Sequence, residues 1–214
     1  MIAISSAYKE ALIAIDIDGK QSFLAMDSNC KHSENILFNI DKMLDEMGKN
    51  IKDNDCLAVV TGPGSFTGLR IGITLVKGLK EACGCKTIGI YTPELIAHTY
   101  LKQSHPNDDF YVAIDALSGL IYISKFTKDG IMFAEQKLIT REEYQNLDGN
   151  KVGLSEECVA DVLVRPSPQD LLEVANEKLA RNEIADDKDL NPLYLRKSQA
   201  EVSLENKINA VNNK

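Results

Sequence analysis

The 214-residue chain carries 24 Lys and Arg against 32 Asp and Glu, a formal net charge of −8. That balance argues against strong intrinsic binding to nucleic acid, which needs cations to neutralise phosphates. With 44% hydrophobic and 26% charged residues, the composition is that of an ordinary globular protein. No apolar run approaches the roughly 18 residues of a membrane-spanning helix, and residues 1–4 start directly as a strand without a basic leader. A cytoplasmic protein with no membrane association is expected. Five cysteines in that setting predict reduced, mostly buried thiols rather than a disulfide framework. Cys83-Gly84-Cys85 offers two thiolates, but no second close pair completes a four-ligand zinc site.

Residues 2–5, 11–17 and 21–26 read as strands, the last two joined by Asp18-Gly19, a two-residue hairpin signal. Ser33 is placed to cap a following helix. In that helix Ile36, Leu37, Ile40, Met43, Leu44 and Met47 form one apolar stripe closed by Gly48. Packing on the sheet explains the stripe most simply, and its two methionines also suit an adaptable contact surface. Residues 56–61 are a short apolar run, the pattern of a buried strand. The run GPGSFTGLRIG over 62–72 then leads into a helix in which Ile71, Leu75, Val76 and Leu79 recur until Gly84. Gly68, Gly72 and Gly78 lie inside this helix, each costing about 1 kcal/mol relative to Ala. Gly68 and Gly72 share a face, where another backbone is expected to come close and form a contact surface. Arg70, a cation near a helix start, is expected to meet a carboxylate or an incoming anion. The turn lacks the Lys and following hydroxyl of GxxxxGK[ST], so a P-loop is excluded and phosphate binding here is the weaker expectation.

Residues 86–91 suggest another strand, and Thr92-Pro93-Glu94 starts a helix with Leu95, Ile96 and Thr99 inward. Polar residues 104–109 mark a junction. Beyond it the opening pattern returns: strands at 110–115, 120–126 and 131–134, with Asp129-Gly130 repeating Asp18-Gly19. Ala113-Ile114-Asp115 stands where Ala3-Ile4-Ser5 stood. A short helix from Thr140, a strand at 151–154, and a helix after Ser167-Pro168 with Leu171, Leu172, Ala175 and Leu179 inward complete the second copy. The chain therefore reads as an α/β protein built from two copies of one strand-meander-plus-helix unit. The first domain is 1–105, a reduced second domain is 106–196, and 197–214 is a polar tail.

Three histidines, His32, His98 and His105, include no pair one helical turn apart, which excludes an HExxH metallopeptidase. Ser65 and Ser118 lack a nucleophile elbow. Duplicated meander units also build the ATP-using enzymes of the actin, hexokinase and Hsp70 class, which place an aspartate at the end of the first strand. That place holds Ser5. A stand-alone ATPase or small-molecule kinase using Asp115 or Asp16 is the enzymatic alternative.

The 62–72 run resembles the signature of the bacterial tRNA threonylcarbamoyladenosine biosynthesis family TsaB, also called YeaZ. The likeness covers residues 1–100, including His32-Ser33. It persists in Ala113-Ile114-Asp115-Ala116, Gly119 and Tyr122, and in Pro192-Leu193-Tyr194-Leu195-Arg196. The resemblance implies a duplicated actin-like (ASKHA, ribonuclease H-like) fold with mixed sheets, a degenerate paralogue of the Kae/TsaD-type catalytic subunit without its HxxxH metal motif. It implies a non-catalytic scaffold required for transfer of a threonylcarbamoyl group to adenosine 37 of tRNA. Such a subunit pairs with a TsaD-like catalytic subunit, is joined by a TsaE-like ATPase subunit, forms a homodimer when alone, and meets tRNA only through the complex. No resident cofactor or metal is implied, with ATP or ADP placed at a subunit junction of the complex. Carried over by position, the partner interface consists of Ile36, Leu37, Ile40, Met43, Leu44 and Met47 with Gly68, Leu69, Gly72 and Leu75.

Overall fold

In the computed structural model, residues 1–26, 32–116, 118–133, 137–154, 160–186, 188 and 190–193 are described, the side chains of 32–34 excepted. The repeat in the sequence is realised as two five-stranded sheets of one topology. β1 (Ile2–Ser5), β2 (Ala11–Ile17), β3 (Lys20–Met26), β4 (Cys56–Gly62) and β5 (Lys86–Tyr91) lie in the order β3-β2-β1-β4-β5. β6 (Phe110–Asp115), β7 (Leu120–Phe126), β8 (Lys137–Thr140), β9 (Asn150–Gly153) and β10 (Val162–Leu163) lie in the equivalent order β8-β7-β6-β9-β10. In each sheet the first three strands are antiparallel neighbours and the last two join in parallel. The Asp18-Gly19 turn has both residues at positive φ, 54° and 75°, the geometry that matches a tight hairpin to strand twist. One strand lies elsewhere than its pattern suggested. Met132 makes only an isolated bridge to Phe126, Ile131 and Phe133 are exposed, and the paired third strand is β8. An apolar run on an exposed connection imitates a strand when only its composition is read.

α1 (His32–Met47) and α2 (Phe66–Cys83) pack into one apolar cluster on a single face of the first sheet. Their second-copy counterparts are reduced. α4 (Arg141–Gln145) stands in the place of α1, and no helix lies between β9 and β10 among the described residues. Each copy ends in a longer helix, α3 (Thr92–Gln103) and α5 (Pro168–Ala180), and these helices are exchanged. Leu171, Leu172, Val174 and Ala175 of α5 pack with Ala3, Leu12, Ala58, Val60 and Ile88 of the first sheet. Ile96, Ala97 and Tyr100 of α3 pack with Phe110, Val112, Phe126 and Val152 of the second. Part of the 106–196 segment thus completes the core of the first unit, and a single cut near residue 105 does not separate the two. Of the remaining expectations, residues 194–214 and the side chain of Ser33 lie outside the described set. No described helix is long and apolar enough to cross a membrane.

Charges join the exchanged helices. Lys102 Nζ lies 2.8 Å from Asp170 Oδ1 and 2.8 Å from Glu173 Oε2, and His98 Nε2 lies 2.8 Å from the same Glu173 oxygen. The buried Lys178 ammonium reaches Glu94 Oε1 at 3.0 Å and Glu183 Oε2 at 2.8 Å. Asp170 also caps α5, accepting hydrogen bonds from the Ser167 N–H at 2.9 Å and hydroxyl at 2.8 Å. Burial pushes the Asp170 carboxyl pKa up, but the Lys102 and Ser167 hydrogen bonds outweigh it and hold the pKa below the ordinary value. Glu173 is lowered on the same balance, with burial opposed by Lys102 and His98.

The β1–β2 loop is wedged against the start of α2. Ser6 Oγ donates to Gly68 O at 2.8 Å, and the Ser65 N–H donates to Ala7 O at 2.8 Å. A Cβ added at Gly68 would lie 1.9 Å from Ser6 O, one at Gly72 2.5 Å from Ser6 Oγ, and one at Gly64 2.6 Å from Ala7 O. Gly78 has nothing within 4 Å of such an atom.

Two expectations follow for stability. Gly68→Ala should lose about 3 kcal/mol or more, the upper end of overpacking costs, while Gly78→Ala should gain about 0.5–1 kcal/mol. Urea denaturation of the two variants checks this, and equal effects would refute the wedge. Because Asp170 and Glu173 have depressed folded pKa values, their contribution is complete above the ordinary carboxylate range near about pH 4. It is lost as pH falls through the folded values. Asp170→Asn should therefore cost about 1–3 kcal/mol at neutral pH and flatten the acid limb of a stability-versus-pH curve measured by denaturant titration.

Candidate partner-binding face

The stripe on α1 points mainly inward. Ile36 and Ile40 are each 1% exposed, and Met43 and Leu44 are buried beside them in the cluster that holds Ile13, Ile15 and Val59. Met47 and Leu75 are partly buried against the same cluster, and Leu69 is buried. Gly68 and Gly72 do receive a close neighbour, as their spacing predicted, but it is Ser6 of the same chain. The transferred set is corrected accordingly. Ile36, Ile40, Met43, Leu44, Leu69, Gly68 and Gly72 belong to the monomer's interior. Leu37, 50% exposed, presents an open apolar surface, and Met47 and Leu75 present only part of theirs.

Two further residues share that outward role. Phe38 on α1 is 65% exposed, and Phe66, the first residue of α2, is 43% exposed. The signal for both was visible as large apolar side chains standing off their helices' buried stripes. The Arg70 guanidinium lies 4.0 Å from the centroid of the Phe66 ring, so the cation at this helix start rests on an aromatic face. Sheet topology brings the two helix starts to one end of the unit. β3 and β4 both run parallel to β1, since β2 is antiparallel to each of β1 and β3 while β4 pairs with β1 in parallel. α1 and α2 follow these two strands on a common face. Both helices therefore start from the same end of the sheet, with Phe66 and Arg70 in the first turns of α2 and Leu37 and Phe38 in the second turn of α1. Exposed large apolar side chains among polar groups are the composition of an interaction site.

The groups considered for catalysis occupy structural positions. Ser5 is fully buried at the end of β1. Asp16 Oδ1 accepts from the Gly19 N–H at 3.2 Å and Asp16 Oδ2 from Gln21 Nε2 at 2.7 Å, closing the hairpin. Asp115 Oδ1 lies 3.8 Å from Arg141 Nη2. His98, Asp170 and Glu173 bring three potential ligand atoms within 4.8 Å of one another. The Lys102 ammonium contacts both carboxylates, so this cluster carries its own cation and acts as the clasp between α3 and α5.

Comparison with known proteins agrees with the duplicated topology. Residues 26–152, more than half of the chain, match the family described as TsaD: tRNA N6-adenosine threonylcarbamoyltransferase. The tRNA threonylcarbamoyladenosine biosynthesis protein TsaB of Escherichia coli is 27% identical, over 94% of this chain and 96% of its own length. The TsaB of Haemophilus influenzae is 22% identical, over 92% and 93%. The solved structure of YeaZ from Pseudomonas aeruginosa superposes with a TM-score of 0.76 at 22% identity, over 91% of this chain and 98% of that one. The chain belongs to the tRNA N6-adenosine threonylcarbamoyltransferase family, as one of its TsaB (YeaZ) members.

Proposed function

We propose that this protein is the non-catalytic companion subunit in tRNA threonylcarbamoyladenosine formation, and that it engages a TsaD-like catalytic subunit through the outward surface at the starts of α1 and α2. The observation that carries the reading is the exposure of Leu37, Phe38 and Phe66 on two helices that pack on one face of the first sheet. Half-exposed side chains of this size forgo about 1–2 kcal/mol apiece, scaled from full burial, which a complementary surface recovers on docking. Membership of the family supports the assignment to tRNA threonylcarbamoyladenosine biosynthesis.

The companion role is supported by the state of the candidate catalytic groups. The position where an ATP-using relative carries an aspartate holds a buried hydroxyl, Ser5. Asp16 and Asp115 engage the hairpin and Arg141 respectively. Net charge of −8 supports contact with tRNA through the complex rather than by this subunit alone. In this reading a TsaE-like ATPase subunit joins the assembly, ATP or ADP sits at a subunit junction, and a second copy of this chain takes the same surface when the catalytic subunit is absent. Modification of tRNA places the work in the cytoplasm.

Phe38→Asp and Phe66→Asp should each weaken binding to the catalytic subunit by roughly thirtyfold or more, the scale of a hot-spot loss. Thermal melting of the isolated protein should stay close to that of the parent. Isothermal titration against the catalytic subunit, paired with reconstituted tRNA modification, reads both effects. Unchanged affinity in both variants would refute this surface. Magnesium-dependent ATP turnover by the isolated chain would overturn the companion role itself.

A further inference from the structure

Cys83 ends α2 and Cys85 precedes β5, so the two thiols flank the single residue that turns the chain from helix to strand. Gly84 makes that turn at φ 66°, with its N–H bonded to Lys80 O at 2.7 Å. The turn folds the two side chains onto each other, and their sulfur atoms lie 2.7 Å apart. A disulfide needs about 2.05 Å, so bond formation requires a displacement well under an ångström. Cys85 is buried and its Sγ also faces Asn54 Nδ2 at 3.8 Å, whereas Cys83 is only partly buried, at the edge of the same core cluster. The pair therefore joins a partly buried cysteine to a sheltered one, with their sulfur atoms in contact. Neither residue belongs to the partner-binding face or to the helix clasp.

We propose that Cys83 and Cys85 form a reversible thiol–disulfide site at the link between α2 and β5, oxidised by low-molecular-weight disulfides of the glutathione class. The Cys83 thiolate attacks one sulfur of the small disulfide, forming a mixed disulfide and releasing the first small thiolate. Cys85 then loses its proton to solvent and attacks the Cys83 sulfur, expelling the second thiolate. Two protein thiols become one intramolecular disulfide while one small disulfide becomes two small thiols, so atoms and electrons balance. The environment favours this order. Burial pushes the Cys85 thiol up to about 12, helped by its hydrogen bond and proximity to Cys83, which makes it a poor first nucleophile. Capping Cys83 removes the part of that elevation due to the Cys83 thiol, and a sulfur of high pKa is intrinsically a strong nucleophile once deprotonated. Cys56, buried in β4 with its thiol pushed up to about 11 by burial, has no such neighbour among the described cysteines within hydrogen-bonding reach and serves as an internal control.

The test equilibrates the whole protein at graded ratios of glutathione disulfide to glutathione, quenches with acid, alkylates under denaturing conditions and digests with trypsin. Both cysteines fall in the single peptide 81–86, between Lys80 and Lys86. The expected result is that this peptide becomes unalkylated and two hydrogens lighter as the ratio rises, and reverts when glutathione is restored, while the Cys56 peptide stays alkylated. In Cys85→Ser the intermediate should accumulate as a glutathione adduct on Cys83, which the parent protein does not retain. Full alkylation of peptide 81–86 at every ratio would overturn the proposal, as would a persistent glutathione adduct in the parent protein. The parent measurement decides the matter even where the serine variant folds poorly.

Discussion

The geometry of the first unit depends on one close approach, that of the Ser6–Ala7 backbone to the ridge of glycines at 64, 68 and 72. A helix returning between the parallel strands β4 and β5 can lie no closer than its inward side chains allow, and at these positions there are none. The helix then settles until Ser6 Oγ reaches a helix carbonyl and the Ser65 N–H reaches Ala7 O. Each internal glycine costs about 1 kcal/mol of helix propensity. The two tertiary hydrogen bonds and the burial of Leu69, Ile73 and Val76 beneath the helix offset that cost. The contact begins directly after Ser5, the buried hydroxyl at the end of β1.

The duplicated architecture was legible because it repeats at the level of turns. Asp18-Gly19 and Asp129-Gly130 mark equivalent places, and the strands around them carry matching apolar runs. The exchange of α3 and α5 was not legible. An amphipathic stripe such as Leu171, Leu172 and Ala175 announces that one face is buried, but it contains no information about which sheet covers it. That choice is made by residues far apart in the chain, among them Lys102, Asp170 and Glu173, whose pairing becomes visible only when the helices lie side by side.

At the candidate site, the α1 stripe and the α2 glycine face assigned to a partner are covered by the chain itself. The glycine spacing correctly announced a close backbone neighbour, and nothing in one chain's sequence distinguishes a neighbour within the fold from one in another subunit. The α1 stripe was likewise a genuine buried surface, buried against the chain's own sheet. Phe38 and Phe66 stand outside the helical period that marks a buried stripe, so periodicity alone does not single them out. The most informative apolar residues on a helix already known to pack are those its own core leaves unused.

The proposed partner surface therefore rests on residues other than the buried stripe. A single helix face cannot fill the monomer's core and also bind a second protein, so inward burial of Ile36, Ile40, Met43 and Leu44 leaves any interface to the opposite and flanking positions. Those positions are not uniformly polar: on α1, Leu37 and Phe38 stand on a surface otherwise carrying Asp41, Lys42, Asp45 and Glu46. A helix under no pressure beyond folding would gain solubility from polar residues there. The close seating of α2 by its glycines fixes the helix start that carries Phe66 and Arg70, and under the proposed function a surface already ordered spares association the cost of ordering it.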